Sequence, residues 1–392
     1  MAINNITGSP VEGENFFGRE NELTAAWSHI KKGNSLILSA PRRVGKSSFA
    51  KKLLSYAEKE EWNTLEINLE EIQTEQKFVE LFVEKLQAEN WWKRSLNTAG
   101  ETLNLLIESI KPSVTYGEAT ATLEWKAKKP DIYTKLKKLL NHEQPTLIMV
   151  DEVTILLNGF LNNNKEQGIE SVEFFLNWLR SFRQVGGTKI HWVFCSSIGI
   201  DNFTNRHNLS YTFNDIKSFP LSAYDVETSK VFIGELAKSD NITLDPEVIN
   251  LMVQKIDWCL PYFIQILYFN YQNLVKSYSK PNDTNTLNAA YQELIDSKEL
   301  NTWDERLADY QEFEEYARLV LKNLSKTKPG AKRETLLELL RAKSNDEAKA
   351  ETYLNKILYM LKNDGYIIDM PKGKYGFRSP LLRDFWFNRF AK

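Results

Sequence analysis

The stretch APRRVGKSS, residues 40–48, combines residue types that bind phosphate. Gly45 lets the backbone wrap around a phosphate group, Lys46 neutralises phosphate oxygens, and the Ser47 hydroxyl is a ligand for Mg²⁺. The stretch follows the apolar run SLILS and precedes a helical pattern, where the first amides of a helix attract an anion. The sequence therefore predicts a nucleotide phosphate site, with binding residues Pro41, Arg42, Arg43, Val44, Gly45, Lys46, Ser47 and Ser48.

Ala40 stands where the phosphate-loop pattern has glycine. At the exit of a strand the backbone φ angle stays negative, and a methyl group there costs little. If position 40 instead needed a left-handed turn, alanine would strain the loop. We expect a negative φ at Ala40 and a loop that wraps phosphate normally.

Asp151 and Glu152 follow the apolar run LIMV, so two carboxylates stand at the end of a buried strand. Asp151 would hold Mg²⁺ through water, and Glu152 would orient or deprotonate an attacking water. An acidic strand end is common by itself, but its combination with Gly45-Lys46-Ser47 favours phosphate chemistry. We therefore predict that Glu152 and Lys46 are catalytic and that Ser47 and Asp151 bind the metal.

Two serines end the next apolar run, IHWVFCSS. A small polar side chain at that place senses the terminal phosphate or the attacking water, although small polar residues also simply end strands. Ser196 and Ser197 are both positioned for this role, and Ser197 is our candidate catalytic residue.

Short apolar runs alternate with amphipathic helical patterns as far as residue 220. This alternation predicts an α/β domain in which a parallel sheet is covered by helices on both faces. Residues 113–125 alternate at period two around a glycine and predict an inserted hairpin or extra strand. The predicted core strands are 35–39, 64–69, 146–150, 190–195 and one within 211–221.

Helical patterns dominate the chain after residue 221, and from about residue 302 they are combined with two short strands. Residues 223–297 indicate a small helical bundle, with Asp245 as an N-cap before Pro246. From about residue 302, three helical patterns precede two short strands around the turn PKGK and one final helix. Three helices followed by a β-hairpin are typical of a winged helix.

Composition excludes several classes of protein. The 392 residues include two cysteines and carry a formal net charge of −2, so neither a disulfide framework nor a strongly basic protein is indicated. No run approaches the roughly 18 apolar residues of a membrane span, and the N-terminus lacks the features of a signal peptide. The four histidines have no metal-ligand spacing. We expect a cytoplasmic protein that does not contact membranes.

Several of these motifs together resemble the archaeal-type STAND ATPases, which are relatives of AAA+ and of the Orc/Cdc6 origin-recognition ATPases. They are FFGRENEL at 16–23, PRRVGKSS, LIMVDEV, the serine-ended strand and CLPYFIQIL at 259–267. The resemblance implies ATP or ADP and Mg²⁺ as cofactors. It also implies three domains, namely a P-loop ATPase core with an N-terminal adenine-binding turn at 1–222, a helical lid at 223–300 and a winged helix at 301–392.

The resemblance assigns roles that spacing does not give. Phe17, Gly18 and Arg19 would lie against adenine and ribose. Pro261 matches the Gly-x-Pro of the family's lid, although Cys259 replaces the glycine. Arg206 falls where related proteins carry an arginine finger that acts on a neighbouring subunit, which would require oligomerisation on ATP binding. A solvated loop arginine is the alternative.

The sequence leaves the output of the ATP site open between two classes of protein. The first is an ATP-dependent molecular switch that hydrolyses ATP slowly and reports the bound nucleotide to a protein partner. The second is a DNA-binding ATPase, because residues 311–392 hold 17 lysine and arginine against 11 aspartate and glutamate residues. The cations expected at DNA are Lys349, Lys356 and Lys362 on one helix and Lys372 and Lys374 in the hairpin, with Asn355 beside them. A small-molecule kinase is disfavoured, since no acceptor-site signature follows the sheet.

Overall fold

A computed structural model describes residues 3–92, 118–140, 144–163, 167–196, 200–344 and 346–392. Its contacts group the chain into two compact units. One contains Arg19–Ser39 and Lys46–Leu221, and the other contains Met1–Gly18, Ala40–Gly45 and Ser222–Lys392. Among the described residues, no helix is both long and apolar enough to cross a membrane.

The unit that contains Arg19–Ser39 and Lys46–Leu221 is built on a parallel sheet, as the sequence predicts. Within the described chain the sheet has five strands, in the spatial order β2-β3-β4-β1-β5. All predicted core strands are present. The strands β3 and β4 are apolar runs buried on both faces of the sheet, whereas β5, at its edge, buries only Phe219. The strands are β1 Leu36–Ser39, β2 Asn63–Asn68, β3 Thr146–Asp151, β4 Ile190–Phe194 and β5 Lys217–Pro220.

The register of the sheet brings the chemically important strand ends to one edge. Val150 of β3 lies opposite Phe194 of β4, and Phe194 lies opposite Ile37 of β1. Since these three strands are neighbours and parallel, the residues that follow them emerge side by side. The phosphate-loop sequence follows β1, and the two carboxylates stand at the end of β3.

Helices flank this sheet, and aromatic side chains fill the space between them. Phe78, Phe175 and Trp178 are buried in one apolar cluster with residues of β2, β3 and β4. Phe78 meets Phe175 edge-on, with ring centroids 4.9 Å apart. The helices are α1 Glu20–Lys31, α2 Lys46–Lys59, α3 Glu75–Ala88, α4 Glu118–Leu139, α5 Val153–Asn163, α6 Gly168–Arg183 and α7 Ile200–Arg206.

The hairpin predicted at 113–125 is wrong from residue 118 onward, because α4 occupies Glu118–Leu139. Residues 113–117 lie outside the described residues. The second half of α4 buries Ile132, Tyr133, Leu136 and Leu139, which recur at helical spacing. The helix continues from this anchored half across Pro130, which lacks the backbone N–H of one helical hydrogen bond, and includes the residues with the alternating pattern.

The other unit continues with helices after Ser222. Asp225, Asp245 and Asp283 cap three of them by accepting a backbone N–H through the side chain, and Pro246 occupies the first turn as predicted. These helices are α8 Val226–Ser239, α9 Pro246–Ile256, α10 Pro261–Lys276 and α11 Thr284–Asp296.

The C-terminal elements appear in the predicted order. After α12 Asn301–Glu305 and a 3₁₀ segment at Arg306–Phe313 come three helices, a hairpin and a final helix. The second strand of the hairpin pairs with both the first and a short strand at Ala331–Lys332, in an antiparallel sheet of three strands. The elements are α13 Glu314–Lys326, β6 Ala331–Lys332, α14 Arg333–Ser344, α15 Glu347–Asn363, β7 Ile367–Met370, β8 Lys374–Phe377 and α16 Pro380–Phe390. The winged-helix assignment and the division into three domains stay predictions.

Candidate nucleotide site

The phosphate-loop sequence runs from the end of β1 at Ser39 to the start of α2 at Lys46. Ala40 is not among the residues with positive φ, so the predicted negative φ is confirmed, and phosphate binding by the loop stays a prediction. The left-handed positions of the loop are Gly45, with φ +93°, and Arg43, with φ +67°. Glycine adopts this conformation without cost, whereas arginine rarely does. The unusual position of the loop is therefore Arg43, which the sequence pattern did not single out.

Lys46 and Ser47 stand in the first turn of α2, where backbone amides point out of the helix. Lys46 is buried, at 8% exposure, although lysine is among the residues least often buried. The Ser47 Oγ donates a hydrogen bond to Asp151 Oδ2 at 2.6 Å, so the two predicted metal ligands meet. A hydroxyl and a carboxylate oxygen at this separation are the hard donors that Mg²⁺ prefers. The residues present therefore fit the predicted metal.

Opposing effects act on the pKa of the Asp151 carboxyl. Burial raises the pKa of its carboxyl, while the hydrogen bond from Ser47 and the charge of Lys46 oppose that shift. Its second oxygen accepts the backbone N–H of Glu152 at 3.0 Å. Both carboxylate oxygens are thus oriented by neighbouring groups.

Glu152 has a left-handed backbone, with φ +57°, directly after the last residue of β3. Its N–H also donates to the carbonyl oxygen of Cys195, at 3.0 Å, which ties the end of β3 to the chain after β4. Non-glycine residues in this conformation cluster at active sites, where the surrounding structure holds them in place. The backbone thus fixes the direction in which the Glu152 side chain leaves the sheet.

A second hydrogen bond links the chain after β4 to the segment that follows β3. Ser196 is buried, and its hydroxyl shares a hydrogen bond with the hydroxyl of the fully buried Thr154 in α5. The sequence did not indicate a role for Thr154, since a buried threonine in a helix has no distinctive pattern. Ser197, the candidate catalytic serine, lies outside the described residues.

The N-terminal turn packs against helix α8. The rings of Phe17 and Phe232 stack with their centroids 5.2 Å apart. The backbone carbonyl oxygen of Phe17 accepts a hydrogen bond from the Tyr224 hydroxyl at 2.7 Å. Gly18 has φ +67°, and a Cβ there would lie 2.9 Å from a Thr228 methyl carbon, so this position needs glycine. The adenine-binding role of this turn stays a prediction.

Comparison with solved structures identifies the fold. The Walker-type ATPase of Pyrococcus abyssi matches 97% of this chain and 99% of its own, with a TM-score of 0.63 and 15% identity. The Aeropyrum pernix ORC2 protein, solved in ADPNP and ADP complexes, matches 96% of both chains with a TM-score of 0.52 and 13% identity. The chain shares the fold of these two proteins, with a parallel sheet flanked by helices. No protein-family model matches the chain, and no curated protein matches its sequence significantly.

The remaining predicted residues take these places in the fold. Arg19 is buried and pairs with Glu22 at 3.2 Å, within the first turn of α1. Pro261 is the first residue of α10, and Arg206 is an exposed residue at the end of α7. An exposed arginine is compatible with a finger and with a solvated side chain, so the role of Arg206 stays a prediction.

The sequence did not predict one contact of the phosphate loop. The guanidinium of Arg43 lies over the ring of Tyr262, 4.4 Å from its centroid. Tyr262 directly follows Pro261 in the motif CLPYF, which was assigned for its proline alone. A pairing between residues more than 200 positions apart leaves no local signal in either segment.

Proposed function

We propose that this protein binds ATP and ADP with Mg²⁺, hydrolyses ATP slowly and acts as a nucleotide-dependent switch. The observation that carries the proposal is the 2.6 Å hydrogen bond between Ser47 and Asp151, beside the buried Lys46 and followed by Glu152. The nucleotides in the ORC2 structure, which shares this fold, support the same site. A chance match of one motif would not bring two independently predicted metal ligands together.

Each residue of the site has a distinct chemical task in this proposal. The Lys46 ammonium compensates phosphate charge, and the first amides of α2 direct their dipoles at the same anion. Ser47 and Asp151 hold Mg²⁺, which when bound neutralises charge that develops on the phosphates. Glu152 accepts a proton from the attacking water or orients that water in line.

The grouping of the phosphate-loop residues supports the proposed switch. Ala40–Gly45 belong to the compact unit that also contains Ser222–Lys392. A nucleotide that binds these loop residues differently in two arrangements of that unit would shift the population between them. This differential affinity is what a switch requires, and a partner would read the C-terminal elements.

Replacing Asp151 with asparagine should reduce the gain in ATP affinity that Mg²⁺ provides by about tenfold or more. Residues that hold a metal through a bound water contribute on that scale. Binding in EDTA should stay at the wild-type level, since the phosphate contacts of Lys46 remain. Titration of a fluorescent ATP analogue with and without Mg²⁺ measures both. Glu70→Gln, which alters an exposed carboxyl after β2, is the control. Equal Mg²⁺ dependence in wild type and Asp151→Asn would refute the metal site.

A second candidate function, DNA binding, has its own supporting observation. Among the described residues, Lys349, Lys356, Lys372 and Lys374 have no carboxylate within ion-pair distance, whereas Lys362 pairs with Asp369 at 3.2 Å. Unpaired lysines on α15 and the hairpin offer phosphate contacts without base readout. This candidate is compatible with the same ATP site.

If these lysines contact DNA, duplex affinity should fall steeply with salt and depend little on sequence. Alanine at Lys356, Lys372 and Lys374 should reduce the salt slope by roughly one per lost contact. Alanine at Lys230, Lys238 and Lys280, outside the C-terminal elements, removes the same charge and should leave the slope unchanged. Fluorescence anisotropy with a labelled duplex measures it. An absence of duplex binding at low salt, with and without ATP, would favour a protein partner.

A further inference from the structure

Arg43 combines two unusual features in one residue of the phosphate loop. Its backbone is left-handed, with φ +67°, and its guanidinium lies 4.4 Å from the centroid of the Tyr262 ring. A left-handed backbone is unfavourable for a side chain of this size, so surrounding contacts must hold it. Among the described residues, the Tyr262 ring is the contact that meets the Arg43 charge.

The ring meets the charge of Arg43 without supplying an oxygen or nitrogen acceptor for its N–H groups. A guanidinium has five N–H donors that lie in one plane. The Nε of Arg43 is buried and has no hydrogen-bond partner among the described residues. A buried donor without an acceptor is unfavourable unless a ligand supplies the acceptor. Phosphate is the ligand that fits, since its oxygens accept two in-plane N–H bonds from one guanidinium.

The neighbouring Arg42 interacts with a carboxylate. Burial raises the pKa of Asp309 in the 3₁₀ segment, and the charges of Arg306 and Arg42 oppose this shift. Arg42 therefore acts on a carboxylate of its own unit. Of the two loop arginines, Arg43 is the one whose donors have no anionic partner in the described chain.

We propose that Tyr262 is a positioning residue that holds the Arg43 guanidinium over its ring for binding of a nucleotide phosphate. The inference rests on the proposed ATP site and extends it to helix α10. Through this contact, the helix that begins at Pro261 meets the phosphate loop directly.

The test is a double-mutant cycle on phosphate affinity. Tyr262→Leu should weaken competition by both ATP and inorganic tripolyphosphate against a fluorescent ATP analogue, by about fivefold to tenfold. Arg43→Ala should weaken it at least as much, and Tyr262→Leu should then add nothing. Tyr262→Phe keeps the ring and loses only a 3.2 Å hydrogen bond to the Glu299 carbonyl, so it should restore affinity. Phe269→Leu, at an exposed aromatic of the same helix, is the matched control.

The outcomes separate the possible roles. A loss for ATP but not for tripolyphosphate would mean that Tyr262 contacts the base or ribose, and it would overturn the inference. Additive effects of Tyr262→Leu and Arg43→Ala would do the same, as would a Tyr262→Phe variant as weak as Tyr262→Leu. A lowered melting temperature in Tyr262→Leu alone, with unchanged affinity, would reduce the contact to a structural role. If Lys46→Ala leaves ATP affinity intact, the ATP site itself is wrong. If Lys46→Ala removes affinity while the cycle is additive, only this inference fails.

Discussion

Glu152→Gln is expected to bind ATP as tightly as the wild type and to hydrolyse it about a hundredfold more slowly. The amide keeps the size and shape of the side chain but cannot accept the proton of the attacking water. The loss should appear in kcat and kcat/KM alike, because the interaction is made only in the transition state. Single-turnover phosphate release, compared with binding of a fluorescent ATP analogue, separates the two quantities.

The backbone around Glu152 makes this substitution a clean one. Its N–H is held by the Cys195 carbonyl and by Asp151 Oδ1, each at 3.0 Å, and these contacts do not involve the side-chain carboxyl. Glutamine at φ +57° should therefore occupy the same position. Glu152→Asp is the informative companion, since it retains a carboxylate but withdraws it by one methylene. Hydrolysis by Glu152→Gln at the wild-type rate would refute the catalytic role of this residue.

The sheet was predictable because its strands are short apolar runs separated by amphipathic helices. Burial on both faces of a parallel sheet leaves this pattern in the sequence without reference to distant residues. The sequence predicted that Ser47 and Asp151 bind the same metal, but it did not predict the hydrogen bond between their side chains. The strand order β3-β4-β1, which places the ends of these strands side by side, is a property of the folded chain.

The failures of prediction have a common physical cause. The segment at 118–125 alternates like a strand, yet it belongs to α4, which is anchored by the buried residues Ile132 and Leu136 further along. Tyr262 and Thr154 were missed because their partners, Arg43 and Ser196, are remote in sequence. Local patterns report which face of an element is buried, but not which side chain it meets across the structure.

Lys46→Ala is expected to weaken ATP and ADP binding by about a hundredfold. Lys46 begins α2 and is 8% exposed, so its ammonium is held in a largely dehydrated place beside the loop. Truncating one partner of a desolvated charge pair typically costs about 2–5 kcal/mol, which corresponds to this loss of affinity. Isothermal titration with each nucleotide in the presence of Mg²⁺ measures the effect.

The control for Lys46→Ala lies on the same helix. Lys59→Ala removes an equal charge from the exposed C-terminal end of α2, and it should leave nucleotide affinity unchanged. Lys46→Ala should still fold, because alanine is favourable at the start of helix α2. Its melting temperature should then fail to rise with added ATP, whereas wild type and Lys59→Ala should both be stabilised by mass action. Unchanged affinity in Lys46→Ala would contradict the assignment of this loop to phosphate, since no other residue of the loop carries its charge at the start of the helix.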